Sequence, residues 1–158
     1  MSSVPHILRN VGLHFFQPTS VAIPDSILNK NGPLDAEERR IINSHAQTGY
    51  EMFKNARPRI LKTAATIAYE HHEHWDGNGY PRGLSGDAVS LASRIVALAD
   101  VYDALSQARC YKQAWPPEKV LETIRQGRGS QFDPDVVDAF FRILPQIEEV
   151  RRRFAEPA

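Results

Sequence analysis

A chain of 158 residues is long enough for one domain with a sizeable core, and two domains would be cramped. Its 19 Lys and Arg balance 19 Asp and Glu, so it lacks the basic excess of a general DNA, RNA or membrane-surface binder, and none of these is expected as a partner. The single cysteine, Cys110, excludes an internal disulfide and fits a reducing cytoplasm.

The opening MSSVPHILRN lacks the apolar core of a secretory signal. No later apolar run approaches the ~20 residues of a membrane span, so a soluble cytoplasmic protein is expected. Residues 1–33 hold no sustained period and are punctuated by Pro5, Pro18, Pro24, Gly32 and Pro33, which predicts loop with one helical turn at 25–28. A first long helix opens at Asp35 and Glu38, spaced as a capping box. It places Ile41, Ile42, His45, Gly49, Met52 and Phe53 on one face. A second begins near Pro58 and runs through Ile60, Leu61, Ala64, Ile67 and Ala68 to a histidine cluster.

Four of the nine glycines then fall between Gly77 and Gly86, so that helix must end in a loop. The stretch SLASRIVALADVYDALSQARCY predicts a third helix, apolar apart from Arg94, Asp100 and Asp103. PPEKVLETIRQG reads as a short fourth helix between proline and glycine. FDPDVVDAFFRIL opens a fifth with Asp133 as N-cap and Pro134 as first residue, and Pro145 is expected to kink or divide it. Arg151, Arg152 and Arg153 follow Glu148 and Glu149 and read as a solvated helix face. The fold class is all-α, an antiparallel helical bundle.

The stretch EHHEHWDGNGYPRGL gathers three histidines, two glutamates and an aspartate against a glycine-rich loop. His71 continues the face of Ile67, and His72 that of Ala68 and Leu61. Adjacent helix positions diverge by roughly 100°, so the two rings can serve different metals or opposite sides of one site. His45 lies on the buried face of the first long helix, and Asp100 interrupts an apolar one, where an unpaired carboxylate would be costly. Imidazole and carboxylate ligands on converging helices would suit divalent iron, manganese or zinc. A metal-free reading stands beside this one. Histidines near a helix C-terminus are favoured by the helix dipole, His45 can be a satisfied core residue, and Asp100 can pair with Arg94. The segment from Gly77 to Gly83 misses the G-x-G-x-x-G register and follows a helix, so it is a poor dinucleotide fingerprint.

Taken together, HHEHWDGNGYPRGL resembles the signature of the HD-GYP family, a bacterial branch of the HD phosphohydrolases. IPDSILNKNGPLDAEE, HAQTG, RIVALADVYDALSQARCYK and GSQFDPDVVDAF follow in the order that family uses. The resemblance spans about residues 21–144. It implies a helical fold around a two- or three-metal centre, usually iron or manganese, and hydrolysis of cyclic di-GMP to the linear dinucleotide pGpG or to GMP. On the matching positions, His45, His71, His72 and Asp100 look like metal ligands. Arg109 and Lys112 look like the cations that face substrate phosphates, as suits a guanidinium fork beside a compact ammonium. Gly79, Tyr80 and Pro81 are the triplet itself, with Tyr80 at the substrate side.

The chain also departs from that pattern. Members carry a His-Asp dyad and then a lysine just before the AIPDSIL element, and further ligands upstream. Here the stretch reads GLHFFQPTSVAIPDSIL: Leu13 and His14 stand at the dyad's start, Phe15 stands in the aspartate's place, and no lysine follows until Lys30. The distance is two residues too long, and neither His14 nor His6 is counted as a ligand. The organisation expected is an atypical segment over 1–20 and a partial HD-GYP domain over 21–158 with an incomplete metal site. With the bridging aspartate missing, no catalytic residue is assigned, and phosphodiesterase activity is expected to be weak or absent. The alternative is an active metal-dependent phosphodiesterase. Apolar faces left bare by absent helices, with Ile41, Ile42 and Phe53 as candidates, lead to an expected homodimer or protein partner.

Overall fold

The computed structural model describes residues 23–28, 30, 32–107 and 114–154. A single turn, α1 (Asp25–Leu28), precedes α2 (Ala36–Phe53), α3 (Arg59–Glu70), α4 (Leu91–Ser106), α5 (Pro117–Gln126) and α6 (Pro134–Phe154). A 3-10 turn, Gly86–Ala88, interrupts the long α3–α4 connection, and no strand is present among the described residues. The all-α expectation holds, and so does the early turn at 25–28.

The start of α2 is set by chemistry visible in the sequence. Asp35 accepts from the Glu38 backbone N–H at 2.9 Å, while the Glu38 carboxylate accepts from the Asp35 N–H at 2.9 Å. Such a cap stabilises a helix by about 1 kcal/mol. Lys30 adds an ion pair to the same Glu38, tying the segment before α2 to its first turn. A five-residue link then returns the chain as α3, and the two helices pack side by side; Tyr50 and Tyr69 stack across them at 4.6 Å.

The main apolar core lies away from this hairpin, where α4, α5 and α6 meet. Leu105 and Ile124 are fully buried, with Val120, Phe132 and Val137 around them. Each such side chain contributes about 2 kcal/mol through removal from water. One buried ion pair fastens α4 to the start of α6. Arg94 on α4 donates to Asp133 at 2.6 Å, and Asp133 in turn caps α6 by accepting from the Asp135 N–H at 2.8 Å.

Several expectations are corrected. The α4 helix stops at Ser106 instead of running to Tyr111. Gln107 turns extended, and the end carbonyls bond elsewhere: Leu105 to the Trp115 N–H, Ser106 to Arg151. Pro145 does not divide α6; it sits on the exposed side, where the carbonyl it leaves unbonded can face water. Arg94 pairs with Asp133 and Asp87. On α2 the buried face is Ile42, His45, Ala46 and Gly49, while Met52 is 55% exposed. Ile42, named above as a bare apolar residue, is in the core, and Ile41 and Phe53 are half-buried.

Candidate metal centre

Three of the four predicted ligands come together. His45, midway along α2, meets His71 and His72, which follow the last residue of α3; one ring nitrogen of each lies within 4.8 Å of the other two. Antiparallel packing of α2 on α3 produces this meeting, because the middle of one helix faces the end of the other. Buried Gly49, one turn beyond His45, presents no side chain to the neighbouring helix.

The tautomers follow from backbone partners. His45 Nδ1 bonds the Ile42 carbonyl at 2.5 Å, and His71 Nδ1 lies 3.0 Å from the carbonyls of both Ile67 and Ala68. A carbonyl only accepts, so both Nδ1 atoms carry the hydrogen and both Nε2 atoms present lone pairs. Those lone pairs converge: His45 Nε2 is 3.3 Å from His71 Nε2 and 3.1 Å from His72 Nε2. Among the described residues no carbonyl meets the other nitrogen of His72, so its ring can bring a proton into the cluster.

Burial favours neutral imidazoles here. His71 is pushed down to about 4, first by loss of water and then by the His45 charge. Burial, with the neighbouring histidines, holds His72 well below its ordinary value, and burial lowers His45 despite its bond to Ile42. Neutral imidazoles with converging lone pairs are the form that ligates a divalent cation, and three nitrogen donors suit iron, manganese or zinc. The residues fit such an ion.

The donor atoms that lie within 4.8 Å of one another are those of the three histidines, without Asp100. Asp100 is buried on α4, near enough to Tyr80 that its charge, after the larger effect of burial, raises the Tyr80 phenol above its usual value. Tyr80 stacks on His72 at 4.7 Å with planes 25° apart. Its N–H donates to the His72 carbonyl at 3.1 Å, and the Tyr80–Pro81 peptide is cis. Gly79 makes this approach possible, since a Cβ there would stand 2.3 Å from the His74 nitrogen and 2.5 Å from the His72 oxygen. Arg109 and Lys112 lie outside the described residues, as do Leu13, His14 and Phe15. Lys30, the first lysine after the dyad's place, is tied to Glu38.

Two acidic residues of the stretch 70–84 have a different use from the one their type suggested. Glu73, 3% exposed, accepts from the backbone N–H groups of Arg82 at 2.8 Å and Leu84 at 2.9 Å. Glu70, 7% exposed, accepts from the Arg82 guanidinium at 2.6 Å and the Ser90 N–H at 2.9 Å. Both carboxylates hold the loop. A signal existed: acids at a helix C-terminus oppose the helix dipole and need donors nearby.

A helical fold that brings histidines from two helices together beneath a Gly-Tyr-Pro loop defines the class, and the chain belongs to the HD domain family, which matches residues 4–136. Its relatives place it in the HD-GYP branch. The match takes in residues 4–20, set apart above as atypical. The chain is 44% identical over 135 residues to the cyclic di-GMP phosphodiesterase response regulator RpfG of Xanthomonas campestris pv. campestris, covering 85% of this chain and 36% of that protein. It is 45% identical over 118 residues to 3'3'-cGAMP-specific phosphodiesterase 2 of Vibrio cholerae, covering 75% of this chain and 23% of that one. It therefore spans about a quarter to a third of these curated relatives. A crystal structure of a cyclic GMP-AMP specific phosphodiesterase from Vibrio cholerae shares the fold at a TM-score of 0.60 and 21% identity, over 94% of this chain and 39% of that one. No helix among the described residues is long and apolar enough to cross a membrane.

Proposed function

We propose that the chain is a cytoplasmic, cyclic di-GMP-linked HD-GYP domain that keeps a partial metal centre and has lost most or all phosphodiesterase activity. The observation that carries the metal part is the meeting of two carbonyl-fixed imidazoles at 3.3 Å with lone pairs facing each other. Without a proton or cation between them that arrangement is repulsive. His45, His71 and His72 would hold the ion, with iron or manganese as the metal and Asp100 as a fourth contributor. When bound, a divalent ion supplies Lewis acidity toward a phosphoryl oxygen. The chain's own residues orient the three rings, keep them neutral and roof them with Tyr80. Arg109 and Lys112 would face the substrate phosphates.

Loss of turnover is argued from the sequence: no His-Asp dipeptide occurs anywhere in the 158 residues. Two-metal phosphate chemistry requires ions ~3.5–4 Å apart, clamped on attacking and leaving oxygens. Three imidazoles on one side organise one ion and leave a second without a bridging carboxylate. Loss of alignment alone can lower a rate by ~10²-fold. Residues 1–20 are proposed as the atypical part and 21–158 as the partial domain, and a homodimer or protein partner is expected to cover its remaining apolar surface.

The test is anaerobic incubation with ferrous iron or manganese and either cyclic di-GMP or 3'3'-cGAMP, followed by chromatography for the linear dinucleotide and mononucleotides. Turnover at least ~10²-fold below that of a relative with an intact dyad is expected. Family-like turnover that vanishes in His72→Ala would replace this reading with that of an active phosphodiesterase, which the 44% identity to RpfG favours.

A further inference from the structure

We infer that Glu73 is a positioning residue for the metal centre, acting through the loop it clamps: it fixes the His72 imidazole by holding Tyr80 against it. The three histidines are not supported alike. His45 and His71 each have a backbone carbonyl on Nδ1, which sets both tautomer and ring angle. Among the described residues His72 has none; its bond to His45 is made through Nε2, the metal-facing atom, and its ring plane is otherwise met by the His71 ring, 4.0 Å away and tilted by 40°, and by the stack with Tyr80. Ligating histidines ordinarily take their orientation from a hydrogen bond on the second ring nitrogen. At His72 an aromatic plane replaces that bond.

Tyr80 is in turn placed by the carboxylates. The two oxygens of Glu73 accept from Arg82 and Leu84, which flank Gly83 at its φ of 66°, so one side chain pins one edge of the loop. Glu70 pins the Arg82 side chain and the chain's re-entry at Ser90. Arg82 also lies over the Tyr69 ring at 4.6 Å, one turn before His72. Residues 80 and 82 thus each rest on a ring at the end of α3, with Glu73 as the anchor between them. Both carboxylates are occupied by N–H donors, which leaves them structural partners of the loop and not further ligands. The metal-binding arm below rests on the proposed role of the triad; the positioning claim itself does not.

The experiment compares wild type, Glu73→Gln, Tyr80→Leu and Tyr80→Phe. In Glu73→Gln one amide acceptor is lost and an NH2 faces a backbone N–H. In chelated protein, NMR should show the Arg82 and Leu84 amides exchanging at least ~10-fold faster. The His72 ring proton should also lose the ring-current shift of a stacked tyrosine. His45, His71 and the core amides of Leu105 and Ile124 should be unchanged. Tyr80→Leu should produce the same His72 change with Glu73 intact, and Tyr80→Phe should restore it. Cobalt(II) titration followed by its visible bands should give ~10–100-fold weaker binding in Glu73→Gln and Tyr80→Leu, the range seen when orienting partners of metal ligands are lost. An unchanged His72 resonance in Glu73→Gln overturns the inference, as does an unchanged one in Tyr80→Leu should Glu73→Gln fail to fold. If wild type takes up no cobalt, the metal reading falls, and the NMR comparison still decides the positioning claim.

Discussion

The Nε2 atoms of His45 and His72 face each other across 3.1 Å, although one residue sits midway along α2 and the other just past the end of α3, 27 positions apart in the chain. Two rings meet at that distance through a shared proton or a shared cation. With a cation as the bridge, protein purified without chelator should carry divalent metal, and His71→Ala/His72→Ala should carry ~10-fold less or none. Elemental analysis of both proteins decides it, and equal metal content would remove the triad as the binding site.

Chelated protein should lose stability on acidification. His71 sits at about 4 when folded and near the ordinary 6.5 when unfolded. Between those values the unfolded chain binds a proton that the folded chain does not, so stability is full above pH ~6.5 and falls as pH drops through the window. At pH 5 the loss from His71 alone is about 2 kcal/mol. His45 and His72 shift in the same direction and add to it. Urea unfolding at pH 7.5 and pH 5 measures the difference, which should shrink in His71→Ala/His72→Ala.

Gly79 is the position where the loop touches the end of α3 most closely, with backbone atoms at 2.3–2.5 Å from a hypothetical Cβ. Backbone cannot yield as a flexible side chain can. Gly79→Ala should lower stability by ~3 kcal/mol and displace Tyr80 from His72. Thermal unfolding with the same His72 proton signal reports both effects. A variant with wild-type melting and shift would show that the loop is free to move.

Arg94 and Asp133 form the buried pair that fastens α4 to the start of α6, with Arg94 also over the Trp75 ring at 5.4 Å. Removing one partner strands the other: Arg94→Ala should cost ~3–5 kcal/mol by leaving Asp133, 3% exposed in its side chain, without its cation. Arg94→Met/Asp133→Asn should lose less than Arg94→Ala, since no charge is stranded. Denaturant midpoints for the two variants make the comparison.

Local rules determined much of this protein from sequence alone. The capping box at Asp35 and Glu38, the proline-opened α5 and α6 and the Asp133 cap are set within a few residues of chain, so spacing and turn chemistry reveal them. His45, His71 and His72 were legible as metal-capable for the same reason: each continues the period of a helix face, although His71 and His72 lie just beyond the helix end. What the sequence could not decide was which polar atoms each buried side chain would meet, because those partners come from other elements. Glu70 and Glu73 have the same chemistry as ligands, and only the path of residues 79–90 makes them loop anchors. Asp100 shares their acidity and burial, and only the packing of α4 against α3 brings its charge near Tyr80. The end of α4 is decided in the same way, by Trp115 and Arg151 reaching its last carbonyls from distant positions. Helix starts follow from short-range backbone bonding, whereas a buried carboxylate's role follows from whichever donors the tertiary fold delivers to it.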